Sequence, residues 1–351
     1  MKITHKPLAL AAAFLCAAAA HAEWFPLQVN STGADGKPVP TSYVALDKAA
    51  QAWDICVSFP HLKDSFWLAA DYGVTEEAKR LGVRVVVLDA GGFTQLNNQI
   101  SQIENCVAGG GKAAIIGAIS QDGLGNLLTE LKRKNIPVVD AYNGIASKDV
   151  GARSLTLPRE EGWRAGHYLA EKHPKGSKPV KVAWLPGPAG AGWVELFNGG
   201  FRDAIKDSAV QIAETKYGDT GKEVQTRLIE DILQTHKDID YVAGTAVTAE
   251  AAVPVLRARN LTSKIKVVSV YLTPGVYSGL KDKAIEASNM APVVLVGRIA
   301  VDQAVRLIEG KEVLRDVGAI GRMYTKDDIG TLKTDTVLAP ASFKPVFKVG
   351  K

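Results

Sequence analysis

The sequence predicts an α/β protein made of two doubly wound, Rossmann-like lobes, each built on a mainly parallel sheet. Three observations carry this. From Trp53 onward, short apolar runs alternate with amphipathic stretches of helical period, which is the pattern of βαβ units. The alternation lapses at residues 141–156 and then restarts. The chain has 351 residues, more than one such lobe usually holds.

The elements follow in order. Residues 23–50 carry turn residues at Gly33-Ala34-Asp35-Gly36-Lys37-Pro38 and no sustained period, so an irregular N-terminal arm is expected. The first strands are expected at Ile55–Phe59, Val83–Leu88, Ala113–Ile116 and Ile136–Val139. Their nearly unbroken apolar character suits strands buried on both faces. Helices are expected between them at Phe66–Leu81, Gln95–Cys106 and Leu124–Lys134. After the lapse a helix is expected near Glu160–Lys172. Strands then fall at Val180–Leu185, Gln211–Thr215, Tyr241–Ala243, Ile265–Val270 and Ala284–Ser288. The helices of this half are Val194–Lys206, Lys222–Gln234, Ala249–Arg259 and Pro274–Lys281, and a last helix at Val293–Glu309 stops against Gly310.

In doubly wound sheets, ligands bind beyond the carboxyl ends of the strands. That rule places Pro60–Trp67, Ala90–Phe93, Ala141–Asn143, Pro186–Trp193, Gly244–Thr248 and Tyr271–Pro274 on one rim. Phe66 and Trp67 open a helix and point about 100° apart. Trp67 is expected to face a cleft and Phe66 to pack beneath it; the plainer alternative is core packing for both. Asp64 or Ser65 is expected to cap that helix.

Catalytic chemistry is not visible. The chain has no GxSxG, Walker loop or HExxH. His61, His167, His173 and His236 are scattered without metal-ligand spacing. The glycine-rich turn at Gly187–Gly192 lacks the Lys-Ser/Thr pair of a phosphate loop, and Asp89, Asp140 and Glu195 form no fixed acid–base pair. No enzyme activity, metal or cofactor is expected.

The first residues read as a secretory signal peptide. Lys2 and Lys6 precede an apolar run from Leu8 to Ala20, and Ala20-His21-Ala22 is a small-x-small cleavage site. Cleavage is expected after Ala22. The run is too short to span a membrane, and no later stretch is long and apolar enough to do so. A soluble periplasmic protein without direct membrane insertion is therefore expected. Losing Lys2 and Lys6 takes the formal charge from +5 to +3, too mild for a nucleic-acid partner. Cys16 leaves with the signal. Cys56 and Cys106 remain, an even pair that predicts one disulfide in an oxidising compartment; the alternative is two buried thiols.

Several segments are more specific than the alternation. Cys56-Val57-Ser58-Phe59-Pro60-His61-Leu62-Lys63-Asp64-Ser65-Phe66-Trp67 with Asp71-Tyr72-Gly73 is one. Ala90-Gly91-Gly92-Phe93-Thr94-Gln95-Leu96, Val267-Val268-Ser269-Val270-Tyr271-Leu272 and Phe343-Lys344-Pro345-Val346-Phe347 are others. Over roughly residues 50–350 the chain resembles ribose-type (class I) periplasmic binding proteins. Within them it resembles the periplasmic sensor components of trimethylamine N-oxide (TMAO) respiration. The resemblance includes both cysteines and so supports pairing them. It implies a type I binding-protein fold with hinge crossovers near Leu155–Arg159, Asn289–Pro292 and Ile320–Thr325. Lobe 1 would hold residues 50–156 and 290–322, lobe 2 residues 157–289, and residues 323–351 a C-terminal segment.

The resemblance further implies a small-molecule ligand between the lobes and a partner, the periplasmic domain of a membrane sensor histidine kinase. TMAO carries three methyls on a positive nitrogen and one acceptor oxygen. A pocket for it needs aromatic faces and one or two donors. Trp67, Phe93, Tyr142, Trp193 and Tyr271 are the candidate cage, with Asn143 or Asn289 as donor to the oxygen. The chain departs from the family pattern at two places. Pro158 is followed by Arg159-Glu160 where an aromatic pair is usual, and Trp193 stands where small residues are usual. An inward Arg159 would suit an anion and an inward Glu195 a cation; a surface ion pair or two solvated charges is the simpler expectation. The competing reading is delivery of a sugar or other small polar solute to an ABC transporter.

Overall fold

The computed structural model describes residues 24–32 and 38–350. The expected signal peptide with its cleavage site, and the turn residues 33–37, lie outside the described residues.

The first half runs β1 (Leu27–Thr32), β2 (Pro38–Tyr43), β3 (Asp54–Phe59), α1 (Ser65–Leu81), β4 (Arg84–Asp89), α2 (Leu96–Ala108), β5 (Ala113–Ile116), α3 (Gly125–Arg133), β6 (Val138–Tyr142) and β7 (Ala152–Leu155). The second runs α4 (Pro158–Lys172), β8 (Val180–Gly187), α5 (Gly192–Ile205), β9 (Val210–Tyr217), α6 (Lys222–Thr235), β10 (Tyr241–Gly244), α7 (Ala246–Ala258), β11 (Lys266–Ser269), α8 (Pro274–Lys281) and β12 (Ala287–Met290). Then follow α9 (Val293–Ile308), β13 (Asp316–Ala319), β14 (Arg322–Thr325) and β15 (Lys348–Val349).

Two sheets result. Among the described residues the first has the order β15-β4-β3-β5-β6-β7-β13-β1-β2 and the second β14-β12-β11-β10-β8-β9. The parallel cores of both read 2-1-3-4-5 when their strands are counted from β3 and from β8. This is a doubly wound order with one switch point per sheet. The switch points lie between β3 and β5 and between β8 and β10. The chain passes from the first sheet to the second after β7, back after β12, across again between β13 and β14, and back once more before β15. The first three passages are hinge crossovers between lobes.

The arm expected to be irregular contains strands. β1 pairs antiparallel with β13 and with β2, extending the first sheet. Its attachment is polar as well as apolar. Buried Asp302 of α9 accepts from Leu46 N at 2.7 Å and Arg306 Nε at 2.7 Å, and from the Tyr43 hydroxyl. β7 and β13 also escape the periodic reading, because Ala152–Leu155 and Asp316–Ala319 carry little apolar pattern of their own. Hydrogen bonding to neighbouring strands fixes such segments.

Cys56 of β3 and Cys106 of α2 form a disulfide, with Cα atoms 6.1 Å apart. It fastens the end of α2 to an interior strand of the first sheet. Replacing both cysteines with serine is expected to lower unfolding stability by about 2–4 kcal/mol, measured by urea unfolding under non-reducing conditions. An unchanged midpoint would show that the bridge carries no stability.

Candidate functional site

The first wall is built by the turn after β3. Asp64 caps α1, its Oδ1 accepting from Phe66 N at 3.0 Å and Trp67 N at 3.1 Å. Lys63 Nζ ties the turn to Gly91 O at 2.7 Å. The two aromatic residues are thereby held at the helix mouth. The Trp67 ring lies 5.2 Å from Phe59 and 5.4 Å from Tyr142, and the Phe66 ring lies 5.2 Å from Trp67. Phe66 does not simply pack beneath Trp67. Its ring reaches the second lobe and meets Tyr271 at 5.5 Å. Both rings border the cavity.

The opposite wall comes from the starts of α4 and α5 and the end of β11. α4 and α5 cross closely at Gly162, where a Cβ would overlap the Phe197 carbonyl. This contact brings Pro158 and Glu161 of α4 beside Trp193 and Phe197 of α5. The Trp193 ring lies 5.4 Å from Phe197 and, across the lobes, 5.9 Å from Phe93. Tyr271 is pinned by its backbone carbonyl, which accepts from Ser269 Oγ at 2.6 Å and Ser288 Oγ at 3.1 Å.

Between these walls is a cavity of about 40 Å³. That is room for roughly three waters, or for a ligand of a few heavy atoms. From lobe 1 it is lined by Asp64, Phe66, Trp67, Phe93 and Asn143, and from the hinge and lobe 2 by Thr156, Pro158, Glu161, Trp193, Phe197, Thr220 and Tyr271. Among the described lining residues there is no Lys or Arg; the carboxyls are Asp64 and Glu161. Glu161 is 3% exposed. Burial pushes its carboxyl up to about 8, against the opposing charge of Arg164 and the Leu157 backbone N–H. Burial also raises the Asp64 carboxyl, opposed by His61 and the two capped N–H groups. The Tyr271 hydroxyl is raised well above its ordinary value, by burial first and then by the nearby Asp64 and Glu250 carboxyls. It stays a neutral phenol.

Of the residues expected from sequence, the structure gathers Trp67, Phe93, Asn143, Trp193 and Tyr271 on this cavity. Tyr142 and Asn289 stand behind it. Tyr142 is fully buried, and its hydroxyl donates to Val293 O at 3.3 Å. Asn289 is equally buried and donates from Nδ2 to Val270 O at 3.2 Å. Arg159 turns outward to pair with exposed Asp203, and Glu195 is exposed, so neither charge enters the cavity. The lining residues that sequence reasoning passed over are Glu161, Phe197, Thr156 and Thr220. Glu161 left one trace: it lies on the same helical stripe as Ala165 and Leu169, both fully buried.

Two doubly wound lobes joined by hinge crossovers, with an aromatic cavity where their switch points face each other, define a periplasmic binding protein. Residues 55–312 match the periplasmic binding protein domain family, and the chain belongs to that family. It is 36% identical over 303 residues to the periplasmic protein TorT of Escherichia coli strain K12, covering 86% of each chain. Its fold matches an ABC transporter solute binding protein from Bradyrhizobium sp. BTAi1, solved with bound bis-tris, at a TM-score of 0.83 and 52% identity. That match covers 93% of this chain and 99% of the other. It also matches a chain of the TorS sensor domain–TorT complex solved in the presence of TMAO, at a TM-score of 0.77 and 32% identity over 84% of this chain and 99% of that one.

The raised carboxyl gives a stability prediction. Folding favours the acid form of Glu161, so its contribution is fully present below the ordinary carboxyl range and is lost as pH rises through about 8. Glu161→Gln is expected to gain on the wild type as pH rises from about 5 to 9, by up to about 4 kcal/mol, read from denaturant unfolding at each pH. A difference that does not change with pH would refute the assignment.

Proposed function

We propose that this protein is exported to the periplasm, with its signal removed after Ala22. There it binds TMAO or a related small ligand in the interlobe cleft and signals to the periplasmic domain of a membrane sensor histidine kinase. The observation that carries this reading is the cavity itself. It is compact, it presents six aromatic rings, from Phe66, Trp67, Phe93, Trp193, Phe197 and Tyr271, and it contains no lining cation among the described residues. Aromatic faces attract a methylated positive nitrogen. The similarity to TorT and to the TorS–TorT complex with TMAO supports both the ligand and the partner.

The ligand residues in this reading are Trp67, Phe93, Asn143, Trp193 and Tyr271, with Tyr142 and Asn289 supporting them from behind. Residues 50–156 with 290–322 act as one body and 157–289 as the other. The ligand bridges them and shifts an open–closed equilibrium. The protein binds its ligand and does not transform it. By linkage, the kinase domain must change ligand affinity by the same factor as the ligand changes kinase affinity.

Calorimetry on the mature protein tests this, with TMAO, ribose and glycine betaine as ligands. One-to-one binding of TMAO is expected, weakened about 10- to 100-fold in Trp67→Ala, with no response to ribose. Repeating the titration with the kinase domain present should shift the TMAO affinity; an identical affinity would exclude ligand-dependent signalling through this partner. A second reading, solute delivery to an ABC transporter, draws on the 52% identical Bradyrhizobium protein. Binding of a polyhydroxylated solute, together with silence toward TMAO and the kinase domain, would favour it.

A further inference from the structure

We infer that Glu161 sets specificity in this cleft: its buried carboxyl donates a hydrogen bond to the oxygen of a small methylated amine oxide and discriminates against the quaternary cation of the same size. The inference rests on the proposed reading of the cavity as a site for a methylated nitrogen compound.

Such an oxygen needs donors in the cavity wall. An amine-oxide oxygen accepts hydrogen bonds and cannot give one. Of the donors suggested by the sequence, a single amide N–H of Asn143 remains unspent in the cavity lining. Asn143 spends an N–H on Ala118 O at 2.8 Å, and Asn289 lies outside the cavity wall. Thr156 Oγ1 donates to Tyr142 O at 3.1 Å. Two lining groups have polar atoms that are buried and have no hydrogen-bond partner among the described residues. They are Glu161 Oε1 and Trp193 Nε1. The indole N–H is a donor. Glu161 is a donor only as the acid, and burial holds it in that form up to about pH 8. Together they offer what the oxygen of an amine oxide needs, while the rings face its methyls.

The surroundings do not reverse this state. Arg164 is the cation that favours the ionised form, and it is shared with Glu160, to which its Nη2 donates at 2.5 Å. Across the cavity stand Asp64 and the phenol of Tyr271. On α5, Asp203 is taken by Arg159 and Glu195 is exposed. Beside β12 and on β14, Glu286 is held by Lys172 and Lys326, and Arg322 by Asp328. An un-ionised acid offers a quaternary cation no counter-charge, and the methyl that replaces oxygen would leave both donors unsatisfied.

TMAO and tetramethylammonium form the test pair, titrated calorimetrically into the full mature protein between about pH 6.5 and 9.5. TMAO affinity should be flat below about pH 8 and fall about tenfold per unit above it. Tetramethylammonium should bind weakly at low pH and gain as the carboxylate forms. Glu161→Gln keeps a donor that cannot ionise, so it should bind TMAO with no alkaline loss; Glu161→Leu should lose TMAO at every pH. Thermal melts confirm that each variant is folded. The wild-type slope requires no variant at all. TMAO binding that is flat through pH 9.5, or equal loss in folded Gln and Leu variants, overturns the role of Glu161 alone. Absence of TMAO binding by the wild type at every pH overturns the cleft reading and this inference with it.

Discussion

The arrangement depends on the contact between the two carboxyl-end faces. Phe66 meets Tyr271 and Phe93 meets Trp193 across the lobes, at 5.5 and 5.9 Å between ring centroids. These pairs close the cleft around a small volume. They contribute area burial and, for Phe66 and Tyr271, edge-to-face attraction without the desolvation penalty that buried charges would bring. Rings placed at the carboxyl ends of the strands can act in this way because both sheets share the same strand order and the crossovers turn these ends toward each other.

Helix packing then decides how exact the walls are. In lobe 2, α4 and α5 approach at Gly162 until backbone meets backbone. The first turn of each helix therefore reaches the same cavity. In lobe 1 the pairing of α1 with α9 plays the matching part. Val293, which follows the second crossover, receives the Tyr142 hydroxyl at its carbonyl. The Tyr142 ring in turn backs Trp67 and Phe66. Hinge, supporting ring and cavity wall form one continuous stack.

The buried carboxyls show a division of labour. Asp302 anchors the N-terminal arm through Tyr43, Leu46 and Arg306. Asp71, pushed by burial up to about 6, accepts Val346 N at 2.8 Å and fastens the C-terminal segment back onto lobe 1. Asp140, raised by burial to about 7, holds the turn after β6 through Ile145 N at 2.7 Å; it too leaves one oxygen unpaired, but it does not border the cavity. Glu161 differs from these three in combining an unpaired oxygen with a place in the cavity wall.

By itself the sequence determined the periodic elements. Strands such as Ala113–Ile116 and helices such as Pro274–Lys281 are legible because a parallel sheet covered on both faces demands unbroken apolar runs, and a helix packed on it demands a 3.6-residue period. The rim was legible for the same reason, since strand ends locate it, and Trp67, Phe93, Asn143, Trp193 and Tyr271 follow from that rule. Only the tertiary structure decided the rest. β1, β7 and β13 carry too little pattern to stand alone and become strands by pairing with partners distant in the chain. Tyr142 on β6 and Asn289 on β12 are turned behind the wall by their strands, while Phe197 and Glu161 join it because the close α4–α5 crossing brings their helix faces to the cavity. The state of Glu161 depends on how much water the assembled lobes exclude, and residue order does not specify that.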